Sequence, residues 1–322
     1  MSDGRELGLA LQTNKRVGAY AELARAAEAA GFDVVTVFND LWFQPSLPAL
    51  LEIAAATTRV RVGPSCLNPF TLHPVEIAGQ VAALDRASRG RAFLGLAAGA
   101  WLSSLGIDTS HALAAVREAW EIVRRLLAGD DSGFAGERFT LPAGARLRYE
   151  LERDEVPLLV GTWAPRLTAF AQEHADELKL GGSANPQVVA AFRARDVGIV
   201  LGAVTVVDED GDRARAAARR EVAMYVDVVG ALDPTSPIDP DLLARIAPLV
   251  QAGRDDEAGA LLSRDVLDRF AFAGTPAEVA AHAEAVLDAG AHRVDFGTPH
   301  GIDERHGVDL LCREVLPRLR IA

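Results

Sequence analysis

The sequence predicts an α/β chain folded as a single (β/α)8 TIM barrel over residues 1–322, with insertions at the C-terminal rim. Three observations predict it. Short apolar runs alternate with longer segments of helical period along the chain, the pattern of repeated strand-helix units rather than of a sandwich or a bundle. Polar or glycine-rich clusters follow the runs, where the loops after parallel strands belong. The 322 residues also suit one barrel with added loops.

Leu7–Leu11 reads as the first strand, and Tyr20, Leu23, Ala24, Ala27 and Ala30 then recur on one face of a helix that Gly31 stops. Asp33–Phe38 is the second strand and Leu47–Ala55 its helix. Val60–Gly63 is the third strand, and Pro74 stands in the first turn of the next helix, where a missing N–H costs nothing. Ala92–Leu96 gives the fourth strand; Val116, Trp120, Val123 and Leu126 mark its helix, ending at Gly129. Residues about 130–156, rich in Gly, Asp and Arg, break the rhythm and read as a first insertion.

Val156–Val160 resumes as strand five with a helix from Pro165, and Glu177–Leu180 is strand six with a helix after Pro186. Ile199–Val207 is strand seven. The acidic turn Asp208–Asp212 lacks the placed glycine and terminal glutamate of an EF-hand loop and reads as a solvated strand-to-helix turn. A second insertion, about 228–268 with Pro234, Pro237 and Pro240, reads as helical pieces outside the barrel and as a candidate contact between copies. Thr275–Glu278 has the spacing of a capping box with proline at the first helical position, and Arg293–Phe296 is strand eight.

Composition narrows the function classes. A net charge of −12 disfavours nucleic acid and anionic membrane surfaces as partners. Cys66 and Cys312 have neither a redox nor a zinc spacing, and the seven histidines form no HxH or HExxH set, so no metal is expected. No signal-like or membrane-spanning apolar run is present, and a cytoplasmic location is expected. The strand-end clusters Gln12–Asn14, Asn39–Asp40, Ser65–Asn68, Ala98–Trp101, Gly161–Trp163, Gly181–Ser183 and Gly297–Gly301 should converge on one pocket, since the loops after parallel strands all lie at one end of a barrel.

Four segments carry a family resemblance: Gly63–Pro74 (GPSCLNPFTLHP), Gly90–Gly99 (GRAFLGLAAG), Phe272–Pro276 (FAGTP), and Phe296–Gly301 (FGTPHG) followed by Glu314–Pro317. They resemble the luciferase-like superfamily, and within it the coenzyme F420-dependent branch that includes methylenetetrahydromethanopterin reductase. The resemblance implies a barrel that binds coenzyme F420, or alternatively FMN, and transfers hydride to or from a small organic substrate. It also implies a homodimer, and a non-proline cis peptide at the end of strand three, here Ser65–Cys66, behind the coenzyme ring. The coenzyme phosphate is implied near Thr162, Trp163 and Ala164 and near Gly181, Gly182 and Ser183, where helix-start amides can donate to an anion. Asn39 and Asn68 complete the cofactor set.

This chain departs from its relatives at three positions. Ala10 stands where methanopterin reductases carry a glutamate, Asp40 where sugar-phosphate dehydrogenases carry a histidine, and Ala184 where some relatives carry a lysine. Asp40 is the candidate for proton transfer or substrate orientation, since a carboxyl group in a partly dehydrated pocket can be tuned toward neutrality; a helix N-cap is its plainer alternative. Gln12, Trp42, Trp101 and His300 are candidate substrate contacts, while His73 before Pro74 reads as a helix-start residue. Two other functions fit the same sequence: an FMN-dependent monooxygenase fed by a separate reductase, and a flavin- or deazaflavin-binding protein without turnover.

Overall fold

The computed structural model describes residues 4–193, 197–230, 232–235 and 237–319. Its strands are β1 (Glu6–Leu11), β2 (Val34–Val37), β3 (Arg61–Pro64), β4 (Leu94–Ala97), β5 (Phe134–Ala135), β6 (Thr140–Leu141), β7 (Leu158–Gly161), β8 (Glu177–Gly181), β9 (Gly198–Val207), β10 (Ala271–Gly274) and β11 (Arg293–His300). The helices are α1 (Ala19–Ala30), α2 (Ser46–Ala56), α3 (Pro74–Ser88), α4 (Ala112–Ala128), α5 (Pro165–His174), α6 (Pro186–Phe192), α7 (Gly211–Ala223), α8 (Val226–Val229), α9 (Pro240–Gln251), α10 (Asp255–Ala260), α11 (Arg264–Phe270), α12 (Pro276–Asp288) and α13 (Glu304–Leu310). Hydrogen bonds join the strands in the order β3-β2-β1-β11-β9-β8-β7-β4, and bridges at Val62↔Ala92 and Leu67↔Leu96 bring β4 back to β3. The fold is the expected (β/α)8 barrel. Contacts group the chain into two compact units, residues 11–28 with 33–178, and the remainder.

In the first unit, β2 runs parallel to β3 from Val34↔Arg61 to Val37↔Pro64, and β4 to β7 from Leu94↔Leu158 to Ala97↔Gly161. Val34, Phe93 and Leu159 form one buried layer with Cys66 packed against it. A Cβ on Gly63 would fall 2.7 Å from the Phe93 ring, so only glycine on β3 leaves that ring its place. Arg91 closes the lower edge. Its guanidinium donates to the carbonyls of Ala54, Thr57 and Ser88, a cation set against the carbonyl-rich ends of α2 and α3.

The first insertion carries the antiparallel pair β5–β6 and is tied to α4. The buried Glu118 carboxylate accepts the N–H groups of Glu137, Arg138 and Phe139 at 2.7, 2.8 and 2.9 Å. Arg153 then pairs with Asp85 of α3 through both carboxylate oxygens. Charge-assisted hydrogen bonds contribute roughly 1.5–3 kcal/mol each. Glu118→Ala is therefore expected to lower stability by about 3 kcal/mol and to speed exchange of those three amides at least tenfold; unchanged exchange would show that the hairpin is held by something else.

In the second unit, β11 lies between β1 (Glu6↔Arg293 to Leu9↔Phe296) and β9 (Arg293↔Val200 to Gly297↔Val204). Strand eight extends past the expected Phe296 to His300, through a cis Thr298–Pro299 bond. β10 was not expected as a strand. β9 is ten residues long against five for β8, and β10 pairs with its upper end, Ala271↔Val204 to Gly274↔Val207, covering an edge that would otherwise be open. The second insertion supplies α9, α10 and α11, which build a separate apolar cluster around Ala218, Val222, Leu267 and Phe270. The acidic turn is a helix start: Asp210 accepts from the N–H groups of Asp212 and Arg213.

A buried ionic trio fills the space beside β1. Asp295 accepts from Lys179 Nζ at 2.7 Å and from Arg293 Nε at 2.8 Å, with all three side chains almost wholly out of water. Gly8 and Gly202 make room for it: a Cβ on Gly8 would lie 2.0 Å from Asp295 Oδ1, and one on Gly202 2.9 Å from Lys179 Cε.

Candidate active site

The strand-end loops of the first unit hold most of the candidate residues. Gln12 and Asp40 meet, Gln12 Nε2 donating to Asp40 Oδ2 at 2.9 Å. The amide is fixed in that sense because Gln12 Oε1 accepts from the Thr13 N–H at 2.8 Å and from its hydroxyl at 3.3 Å. Thr13 was not singled out in the sequence; its signal is only its place beside Gln12. Asn39 rather than Asp40 serves the following helix, its Oδ1 accepting the Ser46 N–H at 3.0 Å. Asp40 stays half-buried at the loop surface.

The Ser65–Cys66 peptide bond is cis, as the resemblance implies. The Ser65 hydroxyl is buried with no hydrogen-bond partner among the described residues. Behind it, a Cβ on Gly161 would lie 2.9 Å from Cys66 Sγ, so the glycine that ends β7 gives the thiol its seat. Asn68 is occupied with its own loop, Oδ1 accepting from the N–H groups of Phe70 and Thr71 and from the Thr71 hydroxyl. His73 caps α3 through Nδ1 and the Val75 N–H, as expected.

Trp42 and Trp101 are 80% and 53% exposed, and both sit at positive φ, 71° and 56°, where bulky side chains are seldom found. Thr162 Oγ1 accepts the Ala164 N–H at 3.0 Å, Trp163 is half-buried, and α5 begins at an exposed Ala164 without any side-chain cap. Its first-turn amides therefore lack the side-chain acceptor that most helix starts carry.

The second unit holds Gly181, Gly182, Ser183 and His300, and here the amides are largely spoken for. Gly182 N–H donates to Gly202 O at 2.6 Å and Ala184 N–H to Arg269 O at 2.8 Å, while Ser183 Oγ accepts the Asn185 N–H. Asn185 caps α6 and donates to Asp233 and Thr235. Asn before Pro186 is a helix-start signal that sequence reading passed over. His300 is fully buried, with Nε2 3.2 Å from Phe296 O and Nδ1 3.6 Å from Glu304 Oε1; its burial fits a loop-bracing role.

His282, also missed, clasps this loop with Nε2 2.8 Å from Ala184 O. Burial holds its pKa below the ordinary 6.5, against the Ala184 carbonyl, which raises it. A histidine with a lowered folded pKa binds fewer protons folded than unfolded, so its contribution is complete above pH 6.5 and is lost as pH falls toward the lowered value. Amide protection at residues 182–185 is accordingly expected to drop below about pH 6 and to lose this pH dependence in His282→Gln. Equal protection at pH 5 and pH 7 in the parent would contradict it.

The luciferase-like monooxygenase family profile matches residues 4–293. The 5,10-methylenetetrahydromethanopterin reductase of Archaeoglobus fulgidus is 29% identical, covering 92% of this chain and 94% of its own. The F420-dependent glucose-6-phosphate dehydrogenase of Rhodococcus erythropolis is 25% identical over 93% of each. Among solved structures, the coenzyme F420-dependent tetrahydromethanopterin reductase of Methanopyrus kandleri superposes with a TM-score of 0.86 at 23% identity, over 98% of this chain and 99% of that one. With its profile matched over residues 4–293, this chain belongs to the luciferase-like monooxygenase family.

Proposed function

We propose that this chain is a coenzyme F420-dependent oxidoreductase, moving hydride between the deazaflavin and a small organic substrate, with residues 1–322 working as one domain and two copies forming a homodimer. What carries the reading is that relatives similar over more than nine-tenths of the chain are F420-dependent by name or reductases of a methanopterin. The residues present fit such a coenzyme. The Ser65 hydroxyl, buried and without a hydrogen-bond partner among the described residues, offers a polar contact to such a coenzyme. The uncapped start of α5 offers amides to a phosphate. The amides of Gly182, Ala184 and Asn185 already have acceptors, which favours Thr162 and the first turn of α5 as the seat of that anion.

When bound, the deazaflavin supplies the hydride donor or acceptor; the protein supplies placement and proton handling. Asp40, held by Gln12 and half-buried, takes or returns the substrate proton. Gln12 keeps the carboxylate in place, and Thr13 keeps Gln12 in the donating orientation. Asn39 and Asn68 shape the loops on which these groups stand.

A panel of alcohols, sugar phosphates and heterocycles, assayed with F420 under nitrogen, tests this. One coenzyme reduced or oxidised per product without oxygen is expected. Turnover only with FMN, oxygen and an added flavin reductase would replace this reading with a monooxygenase. Coenzyme binding with no turnover on any member of the panel would replace it with a binding protein.

A further inference from the structure

The first insertion leaves a cleft on the outer side of the first unit. A cavity of about 670 Å3 lies between the start of α3, the last turn of α4 and residues 141–148, inside the roughly 300–1,000 Å3 range of small-ligand clefts. None of its lining residues belongs to the strand-end loops. Leu126 and Leu141 are buried and form its floor, with Val75 and Leu147, half-buried, at its sides. Arg146 and Arg148 stand exposed at its edge.

The lining is chemically one-sided. Its side chains are aliphatic or guanidinium, with no ring, carboxylate, hydroxyl or amide among them, so every side-chain hydrogen bond they can make is a donation to an acceptor on the ligand. Neither arginine has an ion pair or a side-chain hydrogen bond among the described residues, in a chain whose net charge is −12. The segment is also held at both ends. Gly144 N–H donates to Asp131 O at 2.7 Å before it, and after it the Tyr149 hydroxyl donates to Gly79 O at 3.4 Å and Arg86 Nη1 to Glu150 O at 2.8 Å. A ligand thus meets a preformed wall, at little ordering cost.

We infer that this cleft binds an aliphatic carboxylate, a fatty-acid anion of medium chain length, with its headgroup on Arg146 and Arg148 and its chain along Leu126, Leu141 and Leu147. A guanidinium matches both oxygens of a carboxylate, and each methylene laid on the leucines leaves water. Sugars and amines find no acceptor in such a lining, and planar rings find nothing to stack on.

Calorimetric titration of the full chain with decanoate, hexanoate and 1-decanol, each with and without F420, tests the inference. Saturable binding of decanoate is expected, about tenfold tighter than hexanoate through its longer chain and about tenfold tighter than 1-decanol through its charge. Arg146→Gln combined with Arg148→Gln should bring decanoate down to the affinity of 1-decanol and leave 1-decanol unchanged. Ala145→Phe, which puts a ring into the cleft, should weaken both about tenfold. Amides 145–148 should exchange about fivefold more slowly with decanoate bound. Decanoate binding indifferent to these variants, or protection confined to the strand-end loops, would overturn the inference. So would binding to phosphatidylglycerol vesicles without saturable binding of free decanoate, which would make this face a membrane contact.

Discussion

Replacing Asp295 with alanine is expected to destabilise the protein by about 3–5 kcal/mol, the usual cost of removing one partner from a buried ion pair. The change leaves the Lys179 ammonium and the Arg293 guanidinium, 6% and 0% exposed, without the carboxylate that both contact. Arg293 Nη1 keeps Glu6 Oε2 at 3.5 Å, a longer contact than the one lost. The same trio sets a pH dependence. Burial pushes the Asp295 pKa up, but the charges of Arg293 and Lys179 outweigh it and hold the group below the ordinary carboxylate range. A carboxylate with a lowered folded pKa contributes stability that is complete above its unfolded value, near 3.9, and is lost as pH falls through the folded value. The parent should therefore show this contribution flat from pH 5 to 8 and falling below about pH 4, whereas Asp295→Ala should lack that acid limb. Urea unfolding at pH 7 and pH 3.5 measures both, and a loss under 1 kcal/mol at pH 7 would show that the two cations find other partners.

Asp40→Asn is expected to lower kcat roughly 100-fold, the low end of what a positioned acid or base contributes, with coenzyme affinity within twofold of the parent. The substitution is a clean one. Asparagine Oδ1 can still accept from Gln12 Nε2, whose own orientation is set by Thr13, so that contact is kept while the charge and the proton are lost. A fall in kcat with KM unchanged identifies an interaction made in the transition state. Unchanged turnover would remove Asp40 from the chemistry and leave it as a loop residue.

The order of elements was legible because parallel strands buried on both faces read as plain apolar runs, and because Pro74, Pro165, Pro186 and Pro276 stand at N1 of their helices. The Thr275–Glu278 capping box was legible for the same local reason. β10 was not: Ala271–Gly274 is a four-residue run whose strand character comes from the spare upper edge of β9, a fact of register rather than of composition. In the site, proximity of Gln12 and Asp40 followed from their places at the ends of neighbouring strands, but their hydrogen bond did not. The division of labour at Asn39–Asp40 was equally hidden, since either residue type caps a helix and only the chain path decides which one reaches Ser46. The phosphate loop shows the opposite limit. Gly181-Gly182-Ser183 looks like an open nest of amides in sequence, yet the Gly182 N–H is taken by Gly202 O and the next but one, that of Ala184, by Arg269 O, both distant along the chain. His282 belongs to the same class of long-range partner, with nothing nearby in sequence to announce it.

The most direct measurement is a pair of anaerobic titrations of the purified apoprotein, one with coenzyme F420 and one with FMN, followed by fluorescence quenching. Saturable binding of F420 at least tenfold tighter than FMN, weakened when Ser65 or Thr162 is replaced by alanine, is the predicted result. FMN binding the tighter of the two, or no saturable binding of F420, would contradict the account.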